Sequence, residues 1–235
     1  PITSGLLVRI EFGVVLGQPA FPSKAALRAK ILRFLHATTG LVTVAHLLVG
    51  NLVDYDPPLD AHHTLVTRPV EEINEFWYEK YRIGTVPKPE EQFGLICCPT
   101  KTDPSVAPAG HHIVALDFQG PSQLASGTWD DIKEEFSEGL VSHLSETIIP
   151  GLKEHVKTMV VSTPLDFERR LLNPGGAFYA FQQDLTAQVV FRPAGKSKSI
   201  DGLYLTGAST HPGGGVPTVM ASGIIAADQI DKFER

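Results

Sequence analysis

Apolar side chains recur along residues 23–36 at Ala26, Leu27, Ile31, Leu32, Phe34 and Leu35 behind a capping-type Ser23, a spacing that predicts a helix. Short β-branched and apolar runs follow at 41–52, 63–67, 94–98 and 112–118. They are separated by DYDPPLD, PKPEEQ and PTKTDPSVAPAG, whose Pro, Asp and Gly end strands. A mostly antiparallel sheet with intervening helices is the simplest assembly. Helical signals return at 69–80 and more strongly at 128–149, where Thr128 can cap and Asp130 and Asp131 sit in the first turn against the helix dipole. There Trp129, Ile132, Phe136, Leu140, Leu144 and Ile148 form one apolar face, and Pro150-Gly151 is the stop. A strand at 157–162, a helical start at 164–171, the Gly- and aromatic-rich NPGGAFYAF, another strand, a glycine cluster and a terminal helix complete the chain. The fold class expected is α/β in the broad sense that includes α+β.

With 235 residues, 43% hydrophobic and 20% charged, the chain has material for one large domain or two modest ones. A net charge of -6, with the 20 Lys and Arg scattered, argues against a nucleic-acid partner, because phosphate neutralisation needs clustered cations. Cys97 and Cys98 are adjacent in the apolar run FGLICC and read as two buried thiols, with neither a disulfide framework nor a metal site implied. No secretory signal is visible, and the first residue, Pro1, suggests a start inside a longer gene product or after processing. The uncharged stretch 37–53 contains three Thr, one Asn, one His and two Gly. It falls short of the ~20 apolar residues of a spanning helix, so it reads as a buried strand or helix, with peripheral membrane contact as the alternative.

The segment that carries chemistry is 201–230, DGLYLTGASTHPGGGVPTVMASGIIAADQI. Residues 203–206 read as a strand, 207–215 as a turn and 217–233 as a helix with Pro217 at its first position. Gly207, Gly213, Gly214 and Gly215 allow positive φ and let a ligand lie against bare peptide. Exposed amides at the helix start carry partial positive charge, which suits a phosphate or the electron-rich pyrimidine edge of a flavin. The same strand, turn and helix also occur in α/β proteins for packing alone.

This string resembles the carboxy-terminal FAD motif of the phytoene-desaturase (carotenoid desaturase) family, in which GLYLxGAxTHPGxGVP leads into the helix under the flavin. The resemblance extends to LDAHHTLV at 59–66, FGLICCPTKTDPSVAPAGHHIVAL at 93–116, TPLDFERRLLNPGGAFYAF at 163–181 and VVFRP at 189–193. It covers roughly 51–232, and the first fifty residues match only loosely. It implies a substrate-type domain of mixed, mostly antiparallel sheet with helices over 1–162, and over 163–235 the strand-helix end of a Rossmann-like FAD-binding domain. By the same resemblance Gly207 and Ala208 lie near the FAD pyrophosphate and ribityl chain, and Gly214, Gly215, Val216 and Pro217 lie at the flavin ring. Ala208 stands where other flavin families place an acidic residue, so one hydrogen bond must come from elsewhere. His211 is expected to position the turn or approach the ring, and Arg192 to pair with a carboxylate or approach the cofactor. No catalytic side chain is assigned, since the flavin accepts hydride while the protein orients and excludes water. His62 and His63 read as structural, because neighbours on a strand point to opposite faces and cannot both enter one site, with a place for one of them in the substrate cavity as the alternative; His111 and His112 read the same way.

No G-x-G-x-x-G follows a strand near the start, nor is there the acidic residue about twenty positions later that binds adenosine ribose. The resemblance therefore implies that an amino-terminal nucleotide-binding half lies on the same gene product or on a partner chain. It further implies a lipophilic polyene or other isoprenoid substrate, a cytoplasmic or organellar location, and peripheral contact with the membrane where such substrates dissolve. The alternative is a non-catalytic lipid-binding or assembly module.

Overall fold

The computed structural model describes residues 14–16, 45–177, 179 and 192–234. The helix expected at 23–36, the beginning of the 37–53 stretch, most of AFYAF and the VVF of VVFRP lie outside them. In chain order the strands are β1 (Val14–Leu16), β2 (Ala45–Val53), β3 (His63–Val66), β4 (Gly94–Cys97), β5 (His112–Gly120), β6 (Val156–Ser162) and β7 (Leu203–Leu205). The α-helices are α1 (Val70–Glu75), α2 (Trp129–Thr147), α3 (Leu152–His155), α4 (Pro164–Leu171) and α5 (Val216–Phe233).

β2 to β6 form a five-stranded sheet in the order β3-β4-β5-β2-β6, with every neighbouring pair antiparallel. The long β2–β5 ladder, from Ala45 opposite Gly120 to Val53 opposite His112, sets the register of the whole. Because side chains alternate along a strand, Ile96, Val114, Leu116, Phe118 and Val53 turn to one face. They pack there with Trp129, Leu140, Val141 and Leu144 of α2 and with Ile149 and Leu152 beyond it. Trp129 Nε1 donates to the Pro121 carbonyl at 2.9 Å, so the largest core side chain is buried with its one donor satisfied. α2 starts where the Asp131 carboxylate accepts both the Thr128 N–H and the Thr128 hydroxyl, and it closes before Gly151, whose φ is 84°. The opposite face leaves Leu65 and Val160 exposed.

The helix expected at 69–80 is broken. α1 ends at Glu75, a wider π-type turn covers Phe76–Lys80, and a 3₁₀ turn Tyr81–Ile83 follows. The irregular turns accompany burial of Phe76, whose ring lies 5.8 Å from Tyr81 and 6.2 Å from Phe93. β5 runs two residues past the predicted 112–118, because its end still pairs with β2.

The described residues group into two compact units. The sheet unit holds 45–170 and 174–177; the other holds 14–16, 171–173, 179 and 192–234. In the second unit β1 pairs antiparallel with β7, Val14 opposite Leu205 and Leu16 opposite Leu203. Among the described residues no helix is long and apolar enough to cross a membrane.

Leu144→Ala is expected to cost about 2–5 kcal/mol of unfolding free energy in denaturant titrations, because it empties a closed core position. Val160→Thr, on the open face, is expected to change it by no more than about 0.5 kcal/mol.

Candidate functional site

Local hydrogen bonds dictate the path between β7 and α5. The segment 195–197 runs beside β7: Leu205 N–H donates to the Gly195 carbonyl at 2.7 Å and Ser197 N–H to the Leu203 carbonyl at 2.9 Å. Within β7 the buried Tyr204 hydroxyl donates to Glu234 at 2.8 Å. Burial, with the Glu234 carboxylate as partner, pushes the phenol up to about 12.

Beyond the strand Gly207 adopts φ 112°, a conformation L side chains rarely take. Its N–H donates at 2.8 Å to the hydroxyl of Ser222, which donates onward to the Val219 carbonyl at 2.6 Å and lies 2.8 Å from Thr206 Oγ1. Ser222 is buried on the second turn of α5. The entry of the loop is therefore tied to the helix that follows it. Thr210 closes a tighter turn by donating both its N–H and its hydroxyl to the Gly207 carbonyl, at 3.1 and 2.9 Å.

Arg192 is buried under this turn. Its Nη2 donates to the Ala208 carbonyl at 2.8 Å and its Nε to the Thr210 carbonyl at 3.3 Å, while His211 N–H donates to the Pro193 carbonyl at 3.1 Å. Burial lowers the guanidinium from its ordinary value. These contacts are to backbone carbonyls, so Arg192 shapes the turn. The His211 ring is exposed and the His211–Pro212 peptide is cis.

At the exit Gly215 has φ 108°, and a Cβ there would stand 3.2 Å from Thr218 Oγ1. The Thr218 hydroxyl is shared between the carbonyls of Gly214 and Gly215, at 2.6 and 2.8 Å. Among the described residues no side chain caps α5, and its first turn holds no carboxylate. Two expectations are corrected here. Pro217 is the second helical residue, because Gly215 is the cap and Val216 comes first. Gly213 shares the positive φ but Gly214 does not, and a Cβ on Gly214 would make an ordinary 3.4 Å contact with Tyr179. Gly207, Ala208, Arg192, His211, Gly214, Gly215, Val216 and Pro217 are thus all on, or directly beneath, one turn and the helix start it feeds. Sequence reasoning missed Ser222, Thr218 and Ser209. The first two are small hydroxyls on the helix following a glycine turn, a recognisable signal; the third has none.

The sheet unit carries the other candidates. His62 and His63 stack with ring centroids 4.3 Å apart, contrary to the expectation that they diverge. The reason is that β3 begins at His63, so strand alternation does not govern His62, whose Nδ1 bonds Thr102 Oγ1 at 2.8 Å. His112 Nδ1 bonds Thr100 Oγ1 at 2.9 Å and its Nε2 lies 3.7 Å from Asp56, while His111 Nδ1 contacts the Ala109 carbonyl at 3.1 Å. The hydrogen bond from Lys101 holds the Asp56 carboxyl below the usual carboxylate range. Cys98 is buried beside Thr100, but Cys97 is only half-buried and lies opposite His63; burial raises its thiol. Among the described residues no group of three or more His, Cys, Asp or Glu is placed to hold a metal ion.

The chain was compared with known proteins. The family described as flavin containing amine oxidoreductase matches residues 74–231. The neurosporene-forming phytoene desaturase of Rhodobacter capsulatus is 33% identical over 171 residues, 72% of this chain and 32% of that protein. The lycopene-forming phytoene desaturase of Paracoccus sp. is 33% identical over 169 residues, 69% of this chain and 32% of that protein. The 4,4'-diapolycopen-4-al dehydrogenase of Metabacillus indicus is 37% identical over 122 residues, 52% of this chain and 24% of that protein. The chain spans about a third of the length of the first two relatives.

Ser222→Ala strands the Gly207 N–H. It is expected to cost about 1–3 kcal/mol of stability in chemical unfolding, whereas Ser142→Ala, an exposed hydroxyl on α2, is expected to change stability by no more than about 0.5 kcal/mol.

Proposed function

The chain belongs to the flavin-containing amine oxidoreductase family, is phytoene-desaturase-like and has FAD as its implied cofactor; from that premise we propose that it is the carboxy-terminal portion of an enzyme passing hydride between a lipophilic, polyene-like substrate and FAD. The observation that carries this reading is the β7–turn–α5 segment. The chemistry of the turn fits an anionic cofactor: three positive-φ glycines, at 207, 213 and 215, keep the backbone bare, and the first turn of α5 has no carboxylate to repel an anion.

In this reading Gly207 and Ala208 lie along the pyrophosphate and ribityl chain, and Gly214, Gly215, Val216 and Pro217 lie at the flavin ring. Arg192 holds the turn from below, and the exposed His211 ring stands at its rim. Bound FAD supplies the redox chemistry. The chain's own residues bind and orient it, and the dipole of α5 favours negative charge where the helix begins. Residues 163–235 are read as the end of a Rossmann-like FAD domain and 1–162 as the substrate-type domain.

The open face of the sheet offers an apolar surface for the substrate. The row His63, Cys97, Ala115, Gly50 and Val160 runs across all five strands, with Leu65 and Leu95 paired next to it. A lipophilic substrate dissolves in membranes, so we read the enzyme as peripherally attached, in the cytoplasm or an organelle. An amino-terminal nucleotide-binding half, on the same gene product or a partner chain, completes the FAD site. Support comes from α5, where Val216, Met220 and Ile224 recur every four residues and are 75%, 67% and 64% exposed. A stripe of that kind on a helix marks a surface that another segment covers.

The test is a near-ultraviolet and visible absorbance spectrum of the full-length protein, with intact mass of every chain present and turnover on a polyene. Flavin bands that bleach when a polyene is added are expected; a folded, flavin-free protein that binds the polyene without turnover would instead mean the binding module. Val160→Glu is expected to raise KM for the polyene at least about tenfold with flavin content unchanged, since it sets a charge on the apolar face.

A further inference from the structure

Ser209 stands in the middle of the β7–α5 turn, 3% exposed, and its hydroxyl has no hydrogen-bond partner. The neighbouring hydroxyls are all engaged: Thr206 with Ser222, Thr210 with the Gly207 carbonyl, Thr218 with the carbonyls of Gly214 and Gly215. A buried hydroxyl left alone carries an uncompensated desolvation cost. Among hydroxyls that are otherwise engaged, an unpaired one marks a position where a ligand oxygen would offset that cost.

The backbone around it is set by Arg192, whose guanidinium takes the carbonyls on either side, those of Ala208 and Thr210. In a trans peptide the N–H lies opposite the C=O. The Ser209 N–H therefore points away from Arg192. Position 208 is alanine, so the turn offers no acidic side chain to accept from a sugar hydroxyl, while a serine hydroxyl both donates and accepts.

We propose that Ser209 is a cofactor ligand of this chain: its hydroxyl bonds an oxygen of the ribityl–diphosphate chain of FAD, and Arg192 is the positioning residue that holds the turn in the required shape. The proposal rests on the FAD reading given above. Lone burial of a serine would give no reason for a guanidinium to be buried beneath it; together the two make a fixed turn with one unpaired polar group.

The experiment uses the full-length protein and measures FAD affinity by reconstitution and the unfolding midpoint of the apoprotein. Ser209→Ala is expected to weaken FAD binding about tenfold or more while leaving the apoprotein midpoint equal or higher, because it removes an unpaired buried hydroxyl. Arg192→Lys is expected to weaken FAD binding in the wild-type background and to add much less on top of Ser209→Ala, as residues acting through one another are non-additive. A Ser209→Ala protein that binds FAD like wild type overturns the proposal, as does a loss of affinity matched by a fall in the apoprotein midpoint. Fully additive losses overturn the role of Arg192. A wild-type protein that takes up no FAD overturns the FAD reading and this proposal with it.

Discussion

The chain must pass from the end of β7 at Leu205 to the start of α5 at Val216 through a glycine-rich turn that still holds one shape. The buried hydroxyl of Ser222 makes this workable. It accepts from the Gly207 N–H and donates into its own helix, so the first bend of the turn and the body of α5 move as one piece. Arg192 then fixes the middle of the loop through two carbonyls, and Thr218 fixes the last two glycines from inside the helix. Preorganisation of this kind matters because donors that are already aimed need no reorganisation when charge arrives.

The sheet unit is built on a different constraint. A five-stranded antiparallel sheet with one face closed by α2 is stable without covering the other, provided the open face is not so apolar that it aggregates. Its open row mixes His63, Cys97, Ala115 and Gly50 with Val160, and the neighbouring row includes Asp117. The open face is thus neither wholly apolar nor strongly charged along these two rows. The π-type turn after α1 accompanies the burial of Phe76, packed against Tyr81 and Phe93.

Much of this was legible in the chain because periodicity and punctuation agreed. The face of α2, the four strands that precede it in the sheet unit, and the strand-turn-helix at the carboxy end all follow from local spacing. Pairing between Val14–Leu16 and Leu203–Leu205 was not legible, since long-range partners leave no local pattern. Nor was the stacking of His62 on His63, which depends on β3 starting one residue later than strand alternation assumed. Ser209 is the plainest case: a serine in a turn reads as exposed by default, and its burial shows only in the folded chain.

Ser209 and Ser222 together show what distinguishes scaffold from site within one short loop. Both are buried serines, and both lie within two helical turns of the glycines. Ser222 is fully engaged and its removal would leave a backbone donor unpaired, so its energy is spent in the free protein. The Ser209 hydroxyl lacks a partner and costs the free protein its desolvation, a cost that cofactor binding offsets in the proposal above. On that proposal, stability rests on the Ser222 hydroxyl and cofactor affinity on that of Ser209. A strand-turn-helix kept for packing alone would have no cause for that separation, because an alanine at position 209 would then be the more stable choice.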